Sequence, residues 1–280
     1  MNTKRLSLAA ACAIGSMITP AAHAISGCSN STLNGNYAIQ FSGASAPSVA
    51  PSLAGLALPP AVSSAKAATV GGNAMVPADG IVKLFLDGNG LLLGNAAVSA
   101  GGTWLQGNVS GQYTVNGDCS VSVTMSDPSG ATANLSGVVV GQGDTAFVQQ
   151  TDAGTGLTGI LKKSRGICQT SDLLGTFGIQ YSGTEIVSGS VYSSVGILTL
   201  DGQGSVSGSE SRFGTGGTAQ VASAGSITVN PDCSAMITVT SQDAAGKSLT
   251  FLGTISVDNK QLLLIQSDAG MSAIGSMVAQ

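Results

Sequence analysis

Residues 35–43 read GNYAIQFSG and residues 175–183 read GTFGIQYSG, and the likeness continues along the chain. LDGNG at 86–90 returns as LDGQG at 200–204, YTVNGDC at 113–119 as ITVNPDC at 227–233, and QTDAG at 150–154 as QSDAG at 266–270. The spacing repeats with the motifs. Cys28 to Gly43 and Cys168 to Gly183 are both 15 positions, and Asp87 to Cys119 and Asp201 to Cys233 are both 32. Gly43 to Asp87 is 44 positions against 18 from Gly183 to Asp201, which one 26-residue insertion in the first copy explains. Such a chain is expected to fold as two copies of one unit. The joint falls at Lys162-Lys163-Ser164-Arg165, the densest charge cluster and the composition of a solvated linker. The expected units are 25–164, with an insertion at 44–79, and 165–280.

Each unit reads as all-β. Gly, Ser, Thr and Val dominate, and Glu occurs only at Glu185 and Glu210, so helix formers are scarce and strand-and-turn chemistry prevails. Residues 120–126 alternate Ser, Val, Ser, Val, Thr, Met, Ser, the pattern of a half-buried strand. Tyr37, Ile39 and Phe41 share one face of the opening strand, as Phe177, Ile179 and Tyr181 do in the second copy. Asp87-Gly88-Asn89-Gly90 and Asp201-Gly202-Gln203-Gly204 read as hairpin turns. The pattern predicts about eight strands per copy, near 35–42, 80–87, 91–100, 103–116, 119–126, 131–141, 144–152 and 156–162 in the first. The second gives 175–182, 192–200, 204–213, 217–230, 233–241, 247–257, 260–268 and 272–279. Two tandem antiparallel modules closed as small barrels remove every exposed edge; a pair of β-sandwiches is the alternative.

The insertion holds Pro47, Pro51, Pro59, Pro60 and Pro77, a spacing that rules out a regular strand or long helix. Leu53, Leu56, Leu58 and Val62 make it more apolar than an ordinary disordered tail. It is expected to cover a barrel end or to pack on the neighbouring module, with a disordered spacer as the alternative. Trp104 and the insertion belong to the first copy alone, so the first module is expected to bind and the second to support it.

Lys4 and Arg5, an uncharged Ala-rich run from Leu6 to Ala22, and Ala22-His23-Ala24 together read as a secretory signal peptide at 1–24. The run is short for a membrane anchor and is interrupted by Pro20, and no later stretch reads as a transmembrane helix. The mature chain is expected to be secreted, periplasmic or on a bacterial cell surface. Loss of Lys4 and Arg5 moves the formal charge from −4 to −6, which leaves no basic patch for nucleic acid. Four cysteines remain, Cys28, Cys119, Cys168 and Cys233, and three connectivities are open to them. The pairing that respects the duplication is Cys28–Cys119 with Cys168–Cys233.

His23 is the only histidine and leaves with the signal peptide, and no thiol is spare. Histidine-based triads and zinc sites are therefore not expected, nor is any other metal or cofactor. Asp87, Asp118, Asp201 and Asp232 read as turn caps. Gln40, Gln150 and Asp152, with Gln180, Gln266 and Asp268 in the second copy, sit among apolar neighbours. Pointing inward, they would be convergent polar groups in an apolar pocket. Trp104 joins them as a candidate ligand platform, or as a core or interface residue.

Gly35-Asn36-Tyr37, the Asp87–Gly90 hairpin and Gly111–Cys119, with Gly225–Cys233 in the second copy, resemble exported bacterial β-proteins with lipocalin-like or allene-oxide-cyclase-like small barrels. Departures are Ile227 where the first copy has Tyr113, and the insertion. The resemblance implies a barrel and carries over no catalytic residue. The leading expectation is an exported, non-enzymatic binding or surface-interaction protein, holding a small apolar ligand or meeting the envelope surface. A structural or adhesive envelope protein comes second and a small-barrel isomerase or cyclase third. A sixteen-strand outer-membrane barrel lacks support, since aromatics are only 4% and the chain ends in Met277-Val278-Ala279-Gln280.

Overall fold

The computed structural model describes residues 27–46, 68–70, 73–242 and 246–280. The expected signal peptide and the leucines and first four prolines of the insertion lie outside them. The first copy contributes β1 (Asn34–Ser45), β2 (Ala68–Val70), β3 (Asn73–Asp87), β4 (Leu91–Ala100), β5 (Thr103–Val115), β6 (Ser120–Ser126), β7 (Thr132–Val140), β8 (Thr145–Gln150) and β9 (Thr155–Lys163). The second contributes β10 (Leu174–Glu185), β11 (Ser190–Asp201), β12 (Ser205–Gly214), β13 (Gly217–Val229), β14 (Ser234–Ser241), β15 (Ser248–Ile255), β16 (Gln261–Gln266) and β17 (Met271–Ala279).

Both copies are antiparallel and closed. β10 to β17 pair in sequence order and β17 returns to β10. In the first copy β3 to β9 follow one another, and β1 closes the ring by pairing with both β9 and β3. The sandwich alternative falls, because β1 and β10 each have a partner on both sides. Alternation explains the closure: Tyr37, Ile39 and Phe41 point into the first barrel and Phe177, Ile179 and Tyr181 into the second, each in its own core. Side chains of these two cores pack the interiors of both barrels.

The turns behave as their residues require. The Asp87 carboxylate accepts from the amides of Asn89, Gly90 and Leu91, while Gly88 and Gly90 take positive φ. Asp201 does the same for Gln203 and Ser205. Asp118 and Asp232 cap Ser120 and Ser234. The disulfides are Cys28–Cys119 and Cys168–Cys233. Cys119 and Cys233 both sit at positive φ, 66° and 65°, a conformation that L-residues adopt at a cost.

The end of the insertion departs from the sequence reading. β1 runs to Ser45, β2 spans Ala68–Val70 and pairs with β3, and β3 begins at Asn73, so residues 44–45, 68–70 and 73–79 are strand, with Pro77 opposite Ala44. Pro77 is tolerated because its backbone faces past the end of β4: its carbonyl accepts from Gly101, in the turn beyond Ala100. The missing N–H therefore removes no ladder bond.

The barrels meet along a seam. Ala38, Ile81 and Ala97 on the outside of the first barrel bury against Leu263 and Ile265 of the second, with Trp104 and Leu252 packed around them. Ser99 donates to the carbonyl of Met271, and Lys83 pairs with Asp232. Asp79 is buried here and accepts from the Ser272 hydroxyl at 2.5 Å. Burial pushes its carboxyl above the usual range, against hydrogen bonds from Ser272 and Ser42. Ser99 of β4 lies opposite it, and Tyr192 of β11 lies close enough to feel its charge. A raised carboxyl stabilises below its unfolded value, and that contribution is lost as pH rises through the folded value. Asp79→Asn should therefore raise the urea midpoint at about pH 8 and leave it nearly unchanged at about pH 4. A lower midpoint at both would contradict this assignment.

Candidate functional site

The sequence candidates divide between two environments. Gln150 and Gln266 point inward with the core-facing residues of β8 and β16, at one end of each barrel. Each donates its amide to the aspartate two residues on, Asp152 at 2.8 Å and Asp268 at 2.7 Å. Asp152 then takes the backbone amide and the side-chain amide of Asn134, and Asp268 takes the amide of Thr250. These carboxylates staple β8 and β16 to the neighbouring strands. Hydrogen bonds from Asn134 and Gln150 outweigh burial and hold Asp152 below the ordinary carboxylate range. Gln40 and Gln180 point outward. Gln40 is buried in the seam, where its amide donates to the carbonyls of Leu264 at 2.7 Å and Gly275 at 2.8 Å. Gln180 is exposed. Trp104 is an interface residue of the seam. The candidates thus do not converge on one pocket.

A polar cluster that the sequence reading missed lies inside the second barrel, at the same end as Gln266. Glu210 of β12 is 0% exposed. Its carboxylate accepts from Ser194 at 2.8 Å, Ser223 at 2.7 Å and Arg212 at 3.1 Å. Burial alone would raise this carboxyl, but those donors and the guanidinium charge outweigh it and hold the group below its usual range. Tyr192 donates to Gln266, and Tyr181 packs against Phe251 with ring centres 5.0 Å apart. Burial pushes both phenols well up, so they remain protonated. Among the described residues, the buried Tyr181 hydroxyl and Arg212 Nε have no hydrogen-bond partner. The cluster is a set of donors around one ionised carboxylate.

In the first barrel the matching positions are apolar: Phe41 for Tyr181, Gly80 for Ser194, Ala96 for Glu210, Val98 for Arg212 and Val109 for Ser223. The signal was present in the sequence, because Glu210 and Arg212 share one strand face opposite an Ala and a Val in the other copy. The enclosed polar cluster thus lies in the second module, whereas Trp104 and the insertion, on which the expectation of a binding first module rests, lie in the first.

Concavities open on the outer walls of the barrels. One groove of about 610 Å³ runs over β7, β8, β9 and β1 and ends at Ile274 of the second barrel. Across it the register sets Val138, Phe147, Ile160 and Gln40 side by side, with Ser136, Gln149, Thr158 and Ser42 in the next row. No charged side chain lines it, and Phe147 is 54% exposed. Among the described residues no group of three or more His, Cys, Asp or Glu could hold a metal ion, and no helix is long and apolar enough to cross a membrane.

Comparison with solved structures finds a protein of unknown function of the DUF3598 family from Nostoc punctiforme. It is 14% identical, with 89% of this chain and 97% of that chain covered and a TM-score of 0.27. A putative AttH from Nitrosomonas europaea is 6% identical, with 88% and 92% covered and a TM-score of 0.24. No family model and no curated protein matches the chain.

Proposed function

We propose that this is an exported, non-enzymatic surface-interaction protein that acts through the outer walls of its barrels. One observation carries the reading: side chains pack both interiors, while a neutral groove centred on Phe147 stays open on the outer wall. Two disulfides suit an oxidising compartment, as does the signal-like start of the sequence. The units 25–164 and 165–280 are taken as its two modules. A lipocalin-like or cyclase-like use of the interior would need room that the packed side chains occupy, so the small apolar ligand of the sequence reading is the weaker alternative.

The test compares the wild type with Phe147→Glu, a change at an exposed position that should leave the fold intact. Wild-type protein should co-sediment with isolated envelope fractions, and the variant should stay largely in the supernatant. Trp104, the only tryptophan, should report no saturable uptake of a fatty acid. Saturable uptake by both proteins, with equal envelope binding, would overturn the outer-wall reading.

A further inference from the structure

We propose that the chain associates with a second copy of itself through the same kind of joint that holds its own two barrels together. The inference rests on the outer-wall reading: envelope binding through the Phe147 groove is expected of the dilute monomer, and at higher concentration a second copy takes the same groove. Within the seam the first barrel presents a plug. Gln40, Ile81 and Ala97 are successive cross-strand partners on β1, β3 and β4, with Ala38 beside them. The second barrel presents a socket made by Leu252 of β15, Leu263 and Ile265 of β16 and Ile274 of β17. Gln40 enters that socket and bonds the carbonyls of Leu264 and Gly275. Plug and socket come from different parts of the barrel, so the joint is heterologous. Because the barrels are repeats, each owns one face of each kind, and one plug and one socket are left over.

The leftover socket is the groove on the first barrel. Strand pairing makes the equivalence explicit. Ser136, Gln149 and Thr158 stand where Leu252, Ile265 and Ile274 stand, and Phe147 stands where Leu263 does. Leu263 is 4% exposed under the first barrel, whereas Phe147 is 54% exposed. Val148 and Gly159, the counterparts of Leu264 and Gly275, line the open groove. The leftover plug is on the second barrel. Gln180 pairs with Val195, as Gln40 does with Ile81, and Ser211 and Phe213 follow on β12. Val195 is 61% exposed, and the Gln180 amide reaches Ser276 Oγ only at 3.5 Å, the outer limit of a hydrogen bond.

Gly178, Gln180, Val195 and Ser211 repeat the small–Gln–β-branched–small outline of Ala38, Gln40, Ile81 and Ala97. The Lys83–Asp232 ion pair of the seam has no equivalent here, because the matching positions are Ile197 on the plug and the exposed Asp118 at the edge of the socket. Ile160 of the socket wall and Gln180 of the plug line one cleft between the barrels, so a single partner chain can engage both faces and close a ring of four barrels. Polar Ser136, Gln149 and Thr158 replace three apolar seam residues, so this joint is weaker than the seam and depends on concentration.

Sedimentation velocity of the full mature chain over a concentration series tests this. The mass should rise from monomer toward dimer for the wild type. Phe147→Glu (socket) and Val195→Glu (plug) should each remain monomeric with unchanged thermal unfolding. Mixing the two variants restores one good socket and one good plug, so a heterodimer should reappear at higher concentration. A wild type that stays monomeric throughout, a dimer indifferent to both variants, or a mixture that restores nothing would each overturn the proposal. If the chain is monomeric but Phe147→Glu still abolishes envelope binding, self-association is wrong while the outer-wall reading stands.

Discussion

Replacing Arg212 by alanine should destabilise the protein by about 3–5 kcal/mol at neutral pH, because it strands a buried carboxylate. Glu210 is fully enclosed, and Arg212 supplies both a hydrogen bond at 3.1 Å and the one formal positive charge in contact with it. Ser194 and Ser223 would remain as neutral donors, insufficient for an ion removed from water. The pH dependence should invert. In the wild type the carboxyl is held low. Its contribution is in place above the unfolded value and is lost as pH falls through the folded one. Without Arg212 burial dominates, the carboxyl rises, and stability is instead lost as pH climbs through the raised value. Urea unfolding should therefore show a large deficit at about pH 7 that shrinks at about pH 4. A deficit below about 1 kcal/mol, or one independent of pH, would mean that Glu210 does not depend on its guanidinium partner.

Converting Cys168 and Cys233 together to serine should cost about 2–5 kcal/mol. The bridge closes 65 residues and anchors the segment before β10 to the β13–β14 turn, where Cys233 holds positive φ. Loop-closure entropy changes slowly with length, so losing the 91-residue Cys28–Cys119 bridge should cost a similar amount. Guanidinium unfolding of the two double variants measures both. A cost under about 1 kcal/mol for either would show that its strands close without help.

The fold was largely legible in the sequence because a duplication supplies its own control. Turn aspartates, cysteines and alternating strands each appeared twice at matched spacing, and the structure closes both copies where those spacings end. Pro77 misled because proline excludes a ladder donor, while β3 places it just past the end of β4. The sites were less legible, because alternation says which residues share a face but not which face is covered. Gln40 and Gln180 occupy the same position in the repeat, yet one is buried in the seam and the other exposed. Glu210 is not legible from the repeat itself, because the cluster consists of residues that the two copies do not share.

One outer-wall joint is satisfied inside the chain by the seam, and its second plug and second socket stand open. Hydroxyl-radical footprinting of Leu263 and Phe147, at dilute and concentrated protein, tests it in one measurement. Leu263 should stay protected at every concentration, while Phe147 should be labelled when dilute and become protected as the concentration rises. Equal labelling of the two residues, or labelling of Phe147 that never changes, would contradict it.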